Sequence, residues 1–407
     1  MVFLTTRYRS QLLAERTHEQ ASRSAAYDLL SSDSQIKRTA GVHDLVTLAD
    51  DHPGQLAQRA VDTLCEYLRA GHEGDELTEE LIVRALTDHF RKDASPSWSG
   101  CSLNLKGAHF HHPVDFSRCI FREDTVWSGA CFDQPTLFRG AEFHKSAMFC
   151  GTTFTTPTNM SGARFSGSAH FERALFQGRA EFTSTLFSDD AFFGAERSES
   201  GYVDYTFLDS AYYSGATFGR DAWFGPGPLP KGKQPPGGTY AAEQNSSYDL
   251  VAGFQGDATF SGAHFMGDAH FAYSFFSGNA WFSPRRHGHA DGRTRQVEPT
   301  PVRFEGEADF DHAVFGGRNP SFRLAEFRND PTFNQAVFEA PVSFEGSSDI
   351  FGPDLEESQG VELMRDQSGR PLVTWARDRR KDADRVPEEE GSQPHRSRQP
   401  RSGRSAR

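Results

Sequence analysis

The sequence predicts a mainly β solenoid, built by stacking one short unit, behind a small α-helical module. From Phe110 onward an aromatic residue, or a stand-in, recurs alternately six and five residues apart: Phe110, Phe116, Phe121, Trp127, Phe132, Phe138, Phe143, Phe149, Phe154, Met160, Phe165 and on to Phe193. The position two before each aromatic is small, from Ala108, Val114, Cys119 and Thr125 through to Ala191. Residues 1–92 hold no in-register Phe and show helical spacing instead. A fixed period sustained this long marks one structural unit stacked many times. Residues at i and i−2 lie on one side of a strand, so the large and the small residue point inward together. Gly, Ser and Asp between them suit the corners. If four such faces close one coil, the coil holds about 22 residues and successive coils lie roughly 4.8 Å apart.

The unit reads A-x-F-x-x with an extra residue in every second copy, as in Ala163-Arg-Phe165-Ser-Gly-Ser followed by Ala169-His-Phe171-Glu-Arg. It resembles the pentapeptide-repeat family, in a Phe-centred form of that family's Ala-(Asp/Asn)-Leu-x-x unit. The resemblance implies a right-handed quadrilateral β-helix, here spanning 99–352. The ladder resumes at Phe207, Tyr213, Phe218 and Phe224, again from Phe254 to Phe282, and again from Phe304 to Phe344, so that 31 of the 36 phenylalanines fall in register by direct count. No single coil buries its own rings, so stability has to come from stacking.

Three interruptions, near 194–204, 225–251 and 283–301, are expected as extruded loops. The second is Pro/Gly-rich, and Pro supplies no ladder donor. The third carries Arg285, Arg286, Arg293 and Arg295 on a chain whose net charge is −13. Each interruption replaces a five-residue step. Counting faces then places the first two at one edge, one coil apart, and the third at the opposite edge.

Before the repeats, Tyr27, Leu29 and Leu30 end one polar helix, and Ile36, Ala40, Leu45 and Leu48 mark a second. A third is expected to start at Pro53, a favoured first helical position, and to run to Leu68; a fourth spans Leu77 to Phe90. The stretches Ala40-Gly-Val-His-Asp-Leu-Val-Thr-Leu-Ala49 and Thr63-Leu-Cys-Glu-Tyr-Leu-Arg69 resemble those of actinobacterial pentapeptide proteins, which often carry transmembrane helices before them. This chain has no run of 18 apolar residues, and Met1-Val-Phe-Leu is too short to read as a signal peptide. A cytoplasmic location is expected, with membrane association only if an upstream segment is missing. At the other end, 353–377 reads as a C-terminal capping hairpin, with Val361–Met364 and Pro371–Trp375 as its strands. Residues 378–407 read as a disordered charged tail.

The sequence predicts no catalytic residue, cofactor or metal. The five cysteines lack metal-ligand spacing, and their odd number argues for a reducing compartment. His109, His111 and His112 cluster, but no carboxylate or cysteine completes a ligand set at matching spacing. Glu305, Glu307, Asp309 and Asp311 alternate with inward residues and are expected to project into solvent, with no cause for a raised pKa. The reading that follows is a non-enzymatic protein-interaction scaffold. Its candidate contact residues are Arg285, Arg286, Arg293, Arg295, Glu305, Glu307, Asp309 and Asp311; its partner is an unidentified protein, with self-association open and no nucleic acid expected. The alternative, drawn from the family resemblance, is a DNA-mimicking modulator of a gyrase-type topoisomerase, which an acidic rod permits.

Overall fold

A computed structural model describes residues 24–71, 74–194, 205–225, 252–284, 300–344 and 347, with the backbone of 362–363 and 373–374. The tail 378–407, all but the flanks of the three interruptions, and Arg285, Arg286, Arg293 and Arg295 lie outside the described residues.

From Leu103 the chain winds through short strands that turn at four corners, and each strand pairs in parallel with the one a full coil later. Uninterrupted coils advance 22 residues, as in Leu103↔Thr125 and Thr125↔Ala147. Four parallel sheets result, a quadrilateral β-helix. We call the faces 1 to 4 in chain order, their first strands being Leu103–Asn104, His109–Phe110, Val114–Asp115 and Ile120–Phe121. The winding begins one face before the aromatic ladder, where Leu105 takes the inward place of a ring.

The interior follows from the inward pair of each unit. The rings stack vertically on their own face, as Phe143 does on Phe165 at 4.7 Å and 0°. They meet rings of other faces edge-on, as Trp127 meets Phe138 at 5.4 Å and 84°. Both geometries suit the aromatic quadrupole and contribute about 0.5–1.5 kcal/mol per pair beyond burial. The small residue two places earlier is buried wherever its side chain is described, because the rings leave no room for more. Where it is Thr, its hydroxyl can reach a backbone carbonyl of the preceding coil: Thr152 donates to Trp127 O and Thr185 to Met160 O, both at 2.9 Å. Some corners approach as closely. A Cβ on Gly278 would lie 2.3 Å from Gly256 O, so no side chain fits there.

The interruptions leave from defined corners. The chain departs after Phe193 on face 1 and returns at Phe207 on face 2, and does the same from Phe224 to Phe254 one coil later. The third break runs from Phe282 on face 3 to Phe304 on face 4, the opposite corner. These are the corners that the five-residue steps indicate.

Among the described residues four helices precede the rod: α1 (24–30), α2 (Gln35–Asp51), α3 (Gln55–Ala70) and α4 (Glu76–Phe90). Helix α3 starts two residues later than expected. Pro53 sits in a turn, and Gly54 with φ 96° breaks the path from α2 before Gln55 begins the helix. Ile36 is exposed, contrary to its place in the apolar spacing. The remaining apolar stripe buries Val42, Leu45, Leu64, Ile82, Leu86 and Phe90 in a core continuous with that of the rod.

The module therefore caps the first coil. Phe90 packs on Phe121 with centroids 5.2 Å apart, and α3 packs on the strand Leu103–Asn104. The open edge is met by polar groups. Gln58 accepts from Ser102 N–H at 2.7 Å and donates to Ser102 O at 3.0 Å, standing in for a missing strand. Glu79 accepts from His111 N–H at 2.8 Å, and Lys92 N–H donates to Arg118 O at 2.9 Å. A solenoid end left bare would offer unpaired strand edges and exposed rings.

At the other end the two strands of the expected hairpin do not pair with each other. Glu362–Leu363 pairs in parallel with Val337–Phe338 on face 2, and Val373–Thr374 with Val342–Ser343 on face 3. The two segments extend different faces, because a strand that follows the coil register finds a parallel partner already in place.

Candidate interaction face

Each strand turns the residue just before its inward ring to the outside. On face 1 these residues pair from coil to coil: Val126↔Met148, Met148↔His170, His170↔Phe192, Phe192↔Trp223 and Trp223↔His270. All six are half-buried. Their rings stack outside the rod as they do inside it, His170 on Phe192 at 4.9 Å, Phe192 beside Trp223 at 6.5 Å and Trp223 on His270 at 3.6 Å. An apolar stripe on a solvent face has no structural need of such residues, since the inward rings already close the core.

A ladder of carboxylates runs beside it along the corner between faces 4 and 1. Asp190 Oδ1 accepts from Asp221 N–H at 3.3 Å, Asp221 Oδ1 from Asp268 N–H at 3.1 Å, and Asp268 Oδ1 from Glu307 N–H at 2.8 Å. Each acid is held by the backbone of the next coil, so the ladder repeats at the coil spacing. Arg220 caps one end, 3.3 Å from Asp189 and 4.0 Å from Asp190. Face 4 contrasts with this arrangement, its outward acids being paired with cations: Glu142 with Lys92 at 3.1 Å and Glu326 with Arg303 at 2.7 Å.

Of the acids singled out in the sequence, Glu307, Asp309 and Asp311 belong to this region. Asp309 continues the stripe beyond His270. It is not the solvated carboxylate expected from alternation. Burial pushes its pKa up to about 6, against hydrogen bonds from Asp311 N–H at 2.9 Å and Thr332 Oγ1 at 3.3 Å. In the column it lies between His270 and Thr332. Glu305 lies on the other side of the corner, 3.3 Å from Arg328 and 3.5 Å from His264.

The winding also alters the reading of the N-terminal histidines. Asp133, one coil on, completes a group with His109 and His111. Its Oδ2 lies 2.7 Å from His109 Nε2, while His111 Nδ1 is 2.8 Å from Glu79 Oε2. His111 thereby ties the rod to α4, and the Glu79 carboxylate holds its pKa above the usual value. All five cysteines are free. Cys131 and Cys150 are half-buried; burial and a neighbouring carboxylate push their thiols up to about 11 and about 12, so they stay protonated near neutral pH.

Sequence reasoning missed Phe192, Trp223, His270 and the Asp190–Asp221–Asp268 ladder. The breaks put Phe192, Trp223 and His270 at 31- and 47-residue intervals, as their pairings show; only a count of coils through the breaks aligns them.

A family model described as pentapeptide repeats (9 copies) matches residues 302–348. No curated protein and no solved structure matches the chain. Among the described residues no helix is long and apolar enough to cross a membrane.

Proposed function

Taking as premise that the chain is a pentapeptide-repeat protein, we propose that it is a non-enzymatic, cytoplasmic interaction scaffold that binds a basic segment of a partner protein along face 1. The outward aromatic stripe beside the carboxylate ladder carries this reading. Aromatic faces attract guanidinium and ammonium groups, and fixed carboxylates accept charge-assisted hydrogen bonds from them. The same pairing occurs within the chain on face 3, where the Arg179 guanidinium lies 4.4 Å over Tyr212 while bonding Glu181 at 2.7 Å. The two breaks at the corner between faces 1 and 2 border this face, so 194–204 and 225–251 are natural contributors to contact.

DNA mimicry fits less well. It calls for phosphate-like charge around the rod, whereas face 1 carries Phe192 and Trp223 and face 4 pairs its acids with cations. The helical cap also closes one end of the rod.

Titration with an oligo-arginine peptide, followed by tryptophan emission, tests the proposal. Saturable binding is expected, weakened by Phe192→Ser and by Asp221→Asn with Asp268→Asn, and absent with oligo-glutamate. Binding that survives loss of the aromatic side chains would reduce it to net charge. Inhibition of gyrase supercoiling at micromolar protein would favour mimicry instead.

A further inference from the structure

We propose that Asp221, Asp268 and His270 form a binding site for a divalent transition-metal cation of the Zn²⁺ or Co²⁺ class on face 1. Each offers a ligand atom, and the three atoms lie within 4.8 Å of one another. Ligand atoms held at the usual ~2.0–2.2 Å from one tetrahedral ion lie about 3.3–3.6 Å apart, so a side-chain shift of at most about 1.5 Å brings the three onto a shared ion.

The site is built by the coil repeat. Asp221 and Asp268 occupy the same corner position in successive coils, and His270 follows two residues after Asp268, as alternation along one strand requires. One oxygen of each carboxylate is occupied by a backbone N–H, from Asp268 at 3.1 Å and from Glu307 at 2.8 Å. The second oxygen of each remains for a ligand, with its direction already fixed. Such anchoring of ligands from behind raises affinity and lowers the ordering cost. His270 is oriented by its ring stack on Trp223, 3.6 Å away at 14°. Among the described residues neither of its nitrogens takes part in a hydrogen bond.

One imidazole nitrogen with two carboxylate oxygens suits zinc-like cations rather than Mg²⁺ or Ca²⁺, which prefer all-oxygen sets. Three protein ligands leave coordination positions open to water or to an incoming group. The His109, His111 and Asp133 group is the poorer candidate, because His109 already bonds Asp133 and His111 bonds Glu79. It serves as the internal control. The inference stands apart from partner docking, since its test uses metal alone.

The experiment is calorimetric titration of untagged, chelator-stripped full-length protein with Zn²⁺, with Co²⁺ absorption and tryptophan emission recorded in parallel. One saturable equivalent is expected, with Co²⁺ bands in the visible and quenching lost on Trp223→Phe. Asp221→Asn with Asp268→Asn, which keeps the oxygens that accept the backbone bonds, should weaken binding at least tenfold, as should His270→Gln. His109→Ala with His111→Ala should leave it unchanged. No saturable binding to wild type, binding unmoved by the first two changes, or binding abolished by the last would each overturn the proposal. If a variant misfolds by circular dichroism, the wild type decides: absence of both Co²⁺ bands and Trp223-dependent quenching overturns it.

Discussion

Tyr213 is the one tyrosine in the inward ladder, and its hydroxyl is buried without a hydrogen-bond partner. Burial alone holds its pKa well above the usual value, consistent with a phenol cut off from water. An unsatisfied buried hydroxyl costs about 1–3 kcal/mol. The ring itself is well placed, stacked on Phe182 at 4.9 Å and on Phe260 at 5.0 Å. Tyr213→Phe therefore keeps both stacks and removes only the oxygen. The space left, on the order of 10 Å³, costs roughly 0.2 kcal/mol at ~24 cal/mol per Å³. A net gain of about 1–2 kcal/mol is expected, which for a unit of this size raises the melting midpoint by roughly 2–6 °C. Scanning calorimetry and urea denaturation measure it. A variant that melts lower than wild type would refute the reasoning, since the hydroxyl would then have a partner worth keeping.

Three further outcomes follow from the same physics. Phe90→Ala removes a fully buried ring from the junction of α4 with the first coil and should cost about 3–5 kcal/mol, with hydrogen exchange rising first in the helices and faces 1 and 4 of the first coil. Asp75 is buried, which alone would raise its pKa, but hydrogen bonds from Arg38 at 2.6 Å, from Tyr67 and from Thr78 hold it below the ordinary range. Its contribution is thus present above the unfolded value of about 4 and lost as pH falls; denaturation from pH 7 to 3 should show this slope, and Asp75→Asn should flatten it. Asp309 has the opposite sign, its pKa being raised from 3.8 to about 6. Its protonated form is favoured in the fold, so stability is full below about 4 and declines as pH rises through 6, by roughly 3 kcal/mol at most; Asp309→Asn should remove this decline.

The inward half of the structure was legible because one residue type fills one position at one period. Phe110, Phe132 and Phe154 announce themselves within any short window, and the step lengths placed even the breaks at the right corners. The outward half follows no such economy. Phe192, Trp223 and His270 are each ordinary surface choices in sequence, and they become a stripe only when parallel pairing stacks them. Asp309 was misjudged for the same reason: alternation says which way a side chain points, not how tall its neighbours are. The helical module was recognised from spacing, but its role was not. Gln58 and Glu79 look like solvated polar residues on their helices, and the backbone groups they satisfy, at Ser102 and His111, belong to a coil more than thirty residues on. The C-terminal segment misled in another way, since two short apolar runs around a Gly suit a hairpin locally, while the open edges of faces 2 and 3 offer parallel partners.

Site-directed photo-cross-linking tests the interaction face most directly. A photoreactive aromatic residue is placed in the full-length protein at Phe192 on face 1 or, as control, at Arg164 on face 4, and adducts formed in cells are mapped by mass spectrometry. Discrete adducts are expected from position 192, joined to Lys- or Arg-rich segments of a partner, and none from position 164. Equal adducts from both positions, or adducts at 192 confined to acidic or apolar segments, would contradict it.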